Sequence, residues 1–241
     1  MAFKKALLCL SEGAAKSISG SSKQHKLQAL RFPTDEVDTC LDALFVTDPA
    51  DDVEMIEHTK GRLLQGSGAW LHSDPTFREW LDSSRSRVLW LHGDPGKGKT
   101  MLTISVSKDI TDSIKASGSG LSSLIAYFFC DNKDNRRNTS IAVLRGLVYQ
   151  LLHSLPDLSL QFRTLFSREG SQLFRSQQGL HSLSRILRDF FASPSIRRVY
   201  IIIDGLDELY EESIEDILKL LSPFLDSEQL GFNYQPRSEV K

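Results

Sequence analysis

Residues 93–100 read Gly93-Asp94-Pro95-Gly96-Lys97-Gly98-Lys99-Thr100, directly behind the apolar run Val88-Leu89-Trp90-Leu91. The spacing satisfies GxxxxGK[ST], the pattern of a phosphate-cradling loop. Its glycines let the backbone curl until successive N–H groups point at an anion, and Pro95 stiffens the turn. A helix opening near Lys99 adds its positive end to the same spot. Lys99 suits the terminal phosphates as a point charge, and the Thr100 hydroxyl suits a magnesium shell. Gly93 through Met101 are therefore candidates for holding nucleotide phosphates. His92 reads as a packed strand-end residue and Lys97 as a solvated loop charge.

Magnesium also needs an oxygen ligand opposite that loop. Asp204 offers one, because it closes the five-residue apolar run Val199–Ile203 where a parallel strand delivers its carboxyl end. Gly205 leaves room beside the phosphates. Asp207 and Glu208 follow on the same turn and are candidates to orient or deprotonate a water at the terminal phosphate. Glu211 and Glu212 read instead as a solvated acidic helix start. Loop and carboxylate together predict a site for ATP or GTP with Mg2+.

The elements that must position these residues alternate from residue 88 onward. A strand at 88–92 precedes the loop, and a helix follows it with Leu102, Val106, Ile110 and Ile114 on one stripe. "LIAYFF" (124–129) reads as a buried strand. A helix then carries Ile141, Leu144, Val148, Leu151 and Leu155, capped by Asn138, Thr139 or Ser140. Two further helical patterns precede Pro194, the second marked by Leu180, Leu183, Leu187, Phe190 and Phe191. After the Asp204 strand, a last helix carries Ile214, Ile217, Leu218, Leu221 and Leu225. Upstream, "DPTFREWL" reads as a short helix capped by Ser73 or Asp74, with Pro75 in its first turn and Trp70 and Trp80 as core residues. Acidic segments before it break at Pro33, Pro49 and Gly61. Near-continuous apolar strands interleaved with helices specify an α/β fold: a three-layer, P-loop NTPase-type parallel sheet flanked by helices. The expected organisation is a linker or stub of low order at 1–50, a helical lead-in at 51–87, and a partial NTPase domain at 88–241.

The bulk numbers exclude other classes. Of 241 residues, 29 are Lys or Arg and 31 Asp or Glu, a formal charge of -2. No nucleic-acid or membrane-surface partner is expected from that balance. Cys9, Cys40 and Cys130 are scattered and form no CxxC pair, which argues against a disulfide framework or zinc site. The opening "MAFKKALLCLSEG" holds an apolar stretch too short for a secretory signal, so a cytoplasmic setting is expected.

With "GDPGKGKT", "YIIIDGLDEL", "WLHSDPTFREWL" and "FFCDNKDNRRNTSIAVLRGLVYQLL" in place, the chain from about residue 50 resembles the NACHT group of signal-transduction (STAND) NTPases, in the form found in fungal NOD-like receptors. The resemblance implies that Gly93 to Thr100 bind nucleotide phosphates, Asp204 holds magnesium, and Asp207 and Glu208 support hydrolysis. It also implies a nucleotide-gated switch in nonself recognition or programmed cell death, partnered by self-association or by full-length relatives. NACHT proteins continue into a strand bearing a sensor arginine, which lies between the glycine-loop strand and the acidic strand. "PRSEVK" resembles only the start of that strand. The expectation is a slot one strand wide in mid-sheet, hence a truncated chain, incomplete at its C-terminus and a doubtful ATPase alone. Two alternatives compete: a P-loop kinase or work-coupled ATPase using Arg136, Arg137, Arg163 and Arg168, and a catalytically inactive interaction fragment.

Overall fold

The computed structural model describes residues 4–11, 40–61, 66, 68–83, 87–117, 122–155, 162, 164, 166–168, 170, 174, 177–191, 193, 196–222 and 230–233. Five strands are built from them: β1 (Lys4–Ser11), β2 (Arg87–His92), β3 (Ser122–Phe129), β4 (Ile196–Asp204) and β5 (Leu230–Asn233). They form one sheet in the order β3-β4-β1-β2-β5. The helices are α1 (Pro49–Lys60), α2 (Pro75–Asp82), α3 (Lys99–Ser117), α4 (Ser140–Ser154), α5 (Gln177–Phe191) and α6 (Glu211–Leu221).

Local chemistry explains most of these boundaries. Asp74 accepts from the Thr76 and Phe77 amides with Pro75 at the first helical position, so α2 starts where a cap and a missing N–H coincide. Asp48 and Pro49 repeat the device for α1. Pro49, read as a break, therefore opens a helix. Thr139 caps α4 by accepting from the Ala142 amide. The first of the two helical patterns before Pro194 lies largely outside the described residues, as does Leu225.

Alternation along the strands makes three layers. Val199, Ile201 and Ile203 face a core shared with α4, α5 and α6. Tyr200 and Ile202 face the opposite core, shared with Leu102, Val106 and Ile110 of α3 and with Phe77 and Trp80 of α2. β2 divides in the same way, with Val88 on the first side and Leu89 and Leu91 on the second. A strand buried on both faces must be apolar at every position, which is why Val199 to Ile203 read as a run. Trp80 is fully buried and Trp70 half-buried, both among apolar neighbours. Among the described residues no helix is long and apolar enough to cross a membrane.

One expectation is overturned. The slot between β2 and β4 is filled by β1, antiparallel to both neighbours: Lys4 to Cys9 pair with His92 to Arg87, and Ala6 to Ser11 pair with Ile203 to Arg198. The sheet is therefore parallel in its β3–β4 and β2–β5 pairs and mixed at the centre. Residues 4–11, read as weakly structured, form its middle strand. The physical reason lies in Ala6-Leu7-Leu8-Cys9-Leu10, an apolar run as long as the one in β4 and suited to the same doubly covered position. Pairing on both sides satisfies the two strand edges that the slot would have left bare.

Candidate functional site

Both halves of the expected site reach one edge of the sheet. β2 ends at His92 and passes into the glycine loop, while β4 ends at Asp204. Lys4 stands opposite His92, and Ala6 stands opposite Ile203, so the two strand ends are separated by β1 alone. That is two strand spacings, about 10 Å.

The loop takes its shape from left-handed backbone at Gly96 (φ 75°) and Gly98 (φ 81°). A Cβ at either position would meet nothing within 4 Å, so glycine is required there for conformation and not for space. Lys99 is buried, and its Nζ donates to the Gly93 and Asp94 carbonyls at 2.7 Å each. The ammonium is thereby held inside the loop. Asp94 to Gly98 are exposed. The Leu102 amide donates to Gly98 at 2.9 Å, so α3 begins at the loop's last glycine and aims its first turn into it. Met101 offers only backbone here, because its side chain packs against the cluster of Val53, Ile104 and Phe129. His92 is half-buried.

Asp204 is buried, and its carbonyl accepts from the Cys130 amide at 2.9 Å, which ties the end of β4 to the end of β3. Gly205 is needed for a reason other than room beside phosphates. Its φ is 73°, and a Cβ there would lie 3.0 Å from the Cys130 carbonyl oxygen. Residues 206–208 then form one 3-10 turn. That turn separates the two acids: Asp207 is exposed, whereas Glu208 is half-buried against the loop after β3. Burial pushes the Glu208 carboxyl above its ordinary pKa, and Asp131, Asp207 and Asp204 push the same way. The Asn132 N–H, donating to Oε2 at 3.3 Å, opposes them. A carboxyl raised in this way is better suited than an ordinary one to take a proton near neutral pH.

A pH prediction follows from that shift. A raised folded-state pKa means that ionising Glu208 costs stability, and the loss sets in as pH rises above the unfolded value. Glu208→Gln should therefore raise the melting temperature at pH 8 and leave it nearly unchanged at pH 4. Melting curves at the two pH values decide it; a lower melting temperature at pH 8 would mean that the Asn132 hydrogen bond outweighs burial.

Sequence reasoning missed the structure that supports this edge. Arg137 is buried and bonded to three carboxylates: Asp52 (3.2 Å), Asp131 (2.8 Å) and Asp134 (3.1 Å). Asp52 belongs to α1 and also accepts from the Thr47 hydroxyl at 2.6 Å. Burial still lifts its pKa, with Thr47 and Arg137 pulling it down. Arg136 is paired with Asp134 at 2.8 Å. Of the four arginines considered for a kinase substrate, Arg136 and Arg137 are thus engaged with carboxylates, Arg168 is exposed, and Arg163 lies outside the described residues. The only visible signal was the mixture of acids and bases in "DNKDNRRN", which does not say which arginine is buried.

The residues present fit a magnesium nucleotide. Among the described residues no group of three or more His, Cys, Asp or Glu side chains could hold a metal by itself. Thr100 and Asp204 would need phosphate oxygens to complete a magnesium shell, which is how that ion is usually bound. When bound, magnesium would supply charge neutralisation at the phosphates.

A doubly covered α/β sheet with a glycine loop and an acidic strand end on one edge defines the class, an α/β P-loop-like fold. The chain belongs to the family described as nephrocystin 3, N-terminal, which matches residues 66–234. It is 38% identical over 205 residues to the vegetative incompatibility protein HET-E-1 of Podospora anserina. The alignment covers 85% of this chain and 15% of that relative, so the chain spans a small part of it. These matches identify the region as NACHT-type, of the kind found in fungal NOD-like receptors. No solved structure matches the chain.

Proposed function

We propose that the chain is the nucleotide-binding module of a NOD-like-receptor-type signalling protein, which binds a magnesium nucleoside triphosphate, ATP or GTP, and gates assembly by nucleotide state. The observation that carries this reading is the shared sheet edge, with Lys99 held inside the Gly93–Thr100 loop and the Asp204 strand end two strand spacings away. The likeness to an incompatibility protein supports a role in nonself recognition or cell death, with copies of the chain or longer relatives as partners. Glu208 is the better placed of the two hydrolysis candidates, since Asp207 is exposed.

Calorimetric titration of the chain with Mg·ATP and Mg·GTP tests the reading. Micromolar or tighter binding of one of them is expected, and Lys99→Ala should weaken it by about 100-fold, as removing a charged partner of a phosphate does. Light scattering with and without the nucleotide then reads the assembly step. Absence of binding to any nucleoside polyphosphate, or unaltered binding by Lys99→Ala, overturns the proposal. Phosphoryl transfer to a small acceptor would favour the kinase alternative instead.

A further inference from the structure

α1 is clamped along its length, and its last residue reaches the phosphate loop. Near its start, Asp52 accepts from Arg137 at 3.2 Å and so ties the helix to the loop after β3. Val53 packs with Ile104 of α3 and Phe129 of β3. Glu57, one turn further on, accepts from Lys108 of α3 at 2.6 Å. These contacts hold the helix against the element that opens at the glycine loop. Lys60, the last residue of α1, then donates from Nζ to Thr100 Oγ1 at 3.4 Å. Gly61, with φ at 91°, ends the helix.

We propose that Lys60 is a second phosphate-binding lysine of this site, specific for the terminal phosphates of a nucleoside di- or triphosphate; the inference rests on the nucleotide-binding reading above. Thr100 supplies one of the two side-chain oxygens suited to magnesium. An ammonium and a divalent cation on one hydroxyl repel strongly, since like charges a few ångströms apart at a protein surface are only partly screened. Lys60 must therefore leave Thr100 when the cation arrives. Its four-carbon stem lets the charge swing while α1 stays anchored, and the phosphates that accompany the cation are the anions it meets. Lys99 reaches those phosphates from within the loop, and Lys60 reaches them from the adjoining helix.

A merely structural role is poorly supported by the geometry. The bond to Thr100 is long and solvent-exposed, so it adds little to stability, whereas Asp52, Val53 and Glu57 already anchor the helix.

The test uses the whole chain, with Lys60→Met and Lys60→Arg, titrated with Mg·ATP, Mg·ADP and AMP and with the corresponding guanosine nucleotides. Lys60→Met should weaken the triphosphate by about tenfold, the scale of one charge-assisted hydrogen bond, while leaving the monophosphate unchanged. Lys60→Arg should stay within about threefold of wild type, because it keeps the charge on a comparable stem. Melting temperatures of both variants should match wild type. Equal triphosphate affinity in Lys60→Met and wild type overturns the inference, and so does a melting temperature lowered by several degrees, which would assign Lys60 to holding α1. If the wild-type chain binds no nucleotide, the nucleotide-site reading itself fails and takes this one with it.

Discussion

Deleting residues 1–11 is expected to abolish cooperative folding of the remaining chain. β1 is the centre of the sheet, paired in register over six residues with β2 and over six with β4. Without it, β2 and β4 would face each other across about 10 Å, too far for a direct ladder. Each buried amide or carbonyl left unpaired costs about 1–3 kcal/mol, and the two edges together carry several. Their sum, on the order of 10 kcal/mol, is comparable with the whole stability of an ordinary domain. Leu8, opposite Val88 on one side and Ile201 on the other, allows a single-residue version of the test. Leu8→Pro removes a backbone donor and introduces a ring where a central strand tolerates neither. Circular dichroism and thermal melts of residues 12–241 and of Leu8→Pro check this. A cooperative transition within a few degrees of wild type in both would show that the sheet does not depend on its first strand.

Arg137→Met should lower stability by about 3–5 kcal/mol, the range seen when one partner of a buried ion pair is removed. The loss comes from Asp52, which is buried on α1 and would keep only the Thr47 hydroxyl among the side-chain partners described above. Asp131 and Asp134 suffer less, because both are partly exposed and Asp134 retains Arg136. The pH dependence identifies the cause. Burial already raises the Asp52 pKa, and removing the guanidinium raises it further, so the variant's deficit should shrink as pH falls from 7 toward 5 and Asp52 takes up a proton. Adding Asp52→Leu should recover part of the loss, since an apolar pair of similar volume needs no partner. Denaturant melts at the two pH values measure it. A deficit independent of pH would place the cost in packing.

These two predictions bear on function through one arrangement. Arg137 joins α1 to the loop after β3, and that loop bonds Glu208 through the Asn132 amide. α1 also carries Lys60 to Thr100. Breaking the Arg137 cluster should therefore loosen both sides of the candidate site, although Arg137 belongs to neither the glycine loop nor the acidic turn.

Much of this was legible in the sequence wherever a residue's conformation is set by its near neighbours. The glycine loop is local: its spacing, the apolar run before it and the stripe after it lie within thirty residues and predict the strand, loop and helix that are found. Asp204 was legible for the same reason, as a polar residue terminating a run that only a buried strand explains. The caps Asp74 and Thr139 were likewise decided by side chains bonding to amides two or three residues away.

Tertiary structure decided what depends on partners distant in sequence. The run Ala6–Leu10 showed that a segment could be buried on both faces, but not that it would lie antiparallel between strands more than 70 residues away, because register is set by the partners available. Arg136 and Arg137 are adjacent and chemically identical, yet one is exposed and the other sits among three carboxylates. Asp131 and Asp134 come from the same loop as Arg137, but the third carboxylate is brought by the packing of α1, which carries Asp52 to Arg137 and, at its far end, Lys60 to Thr100.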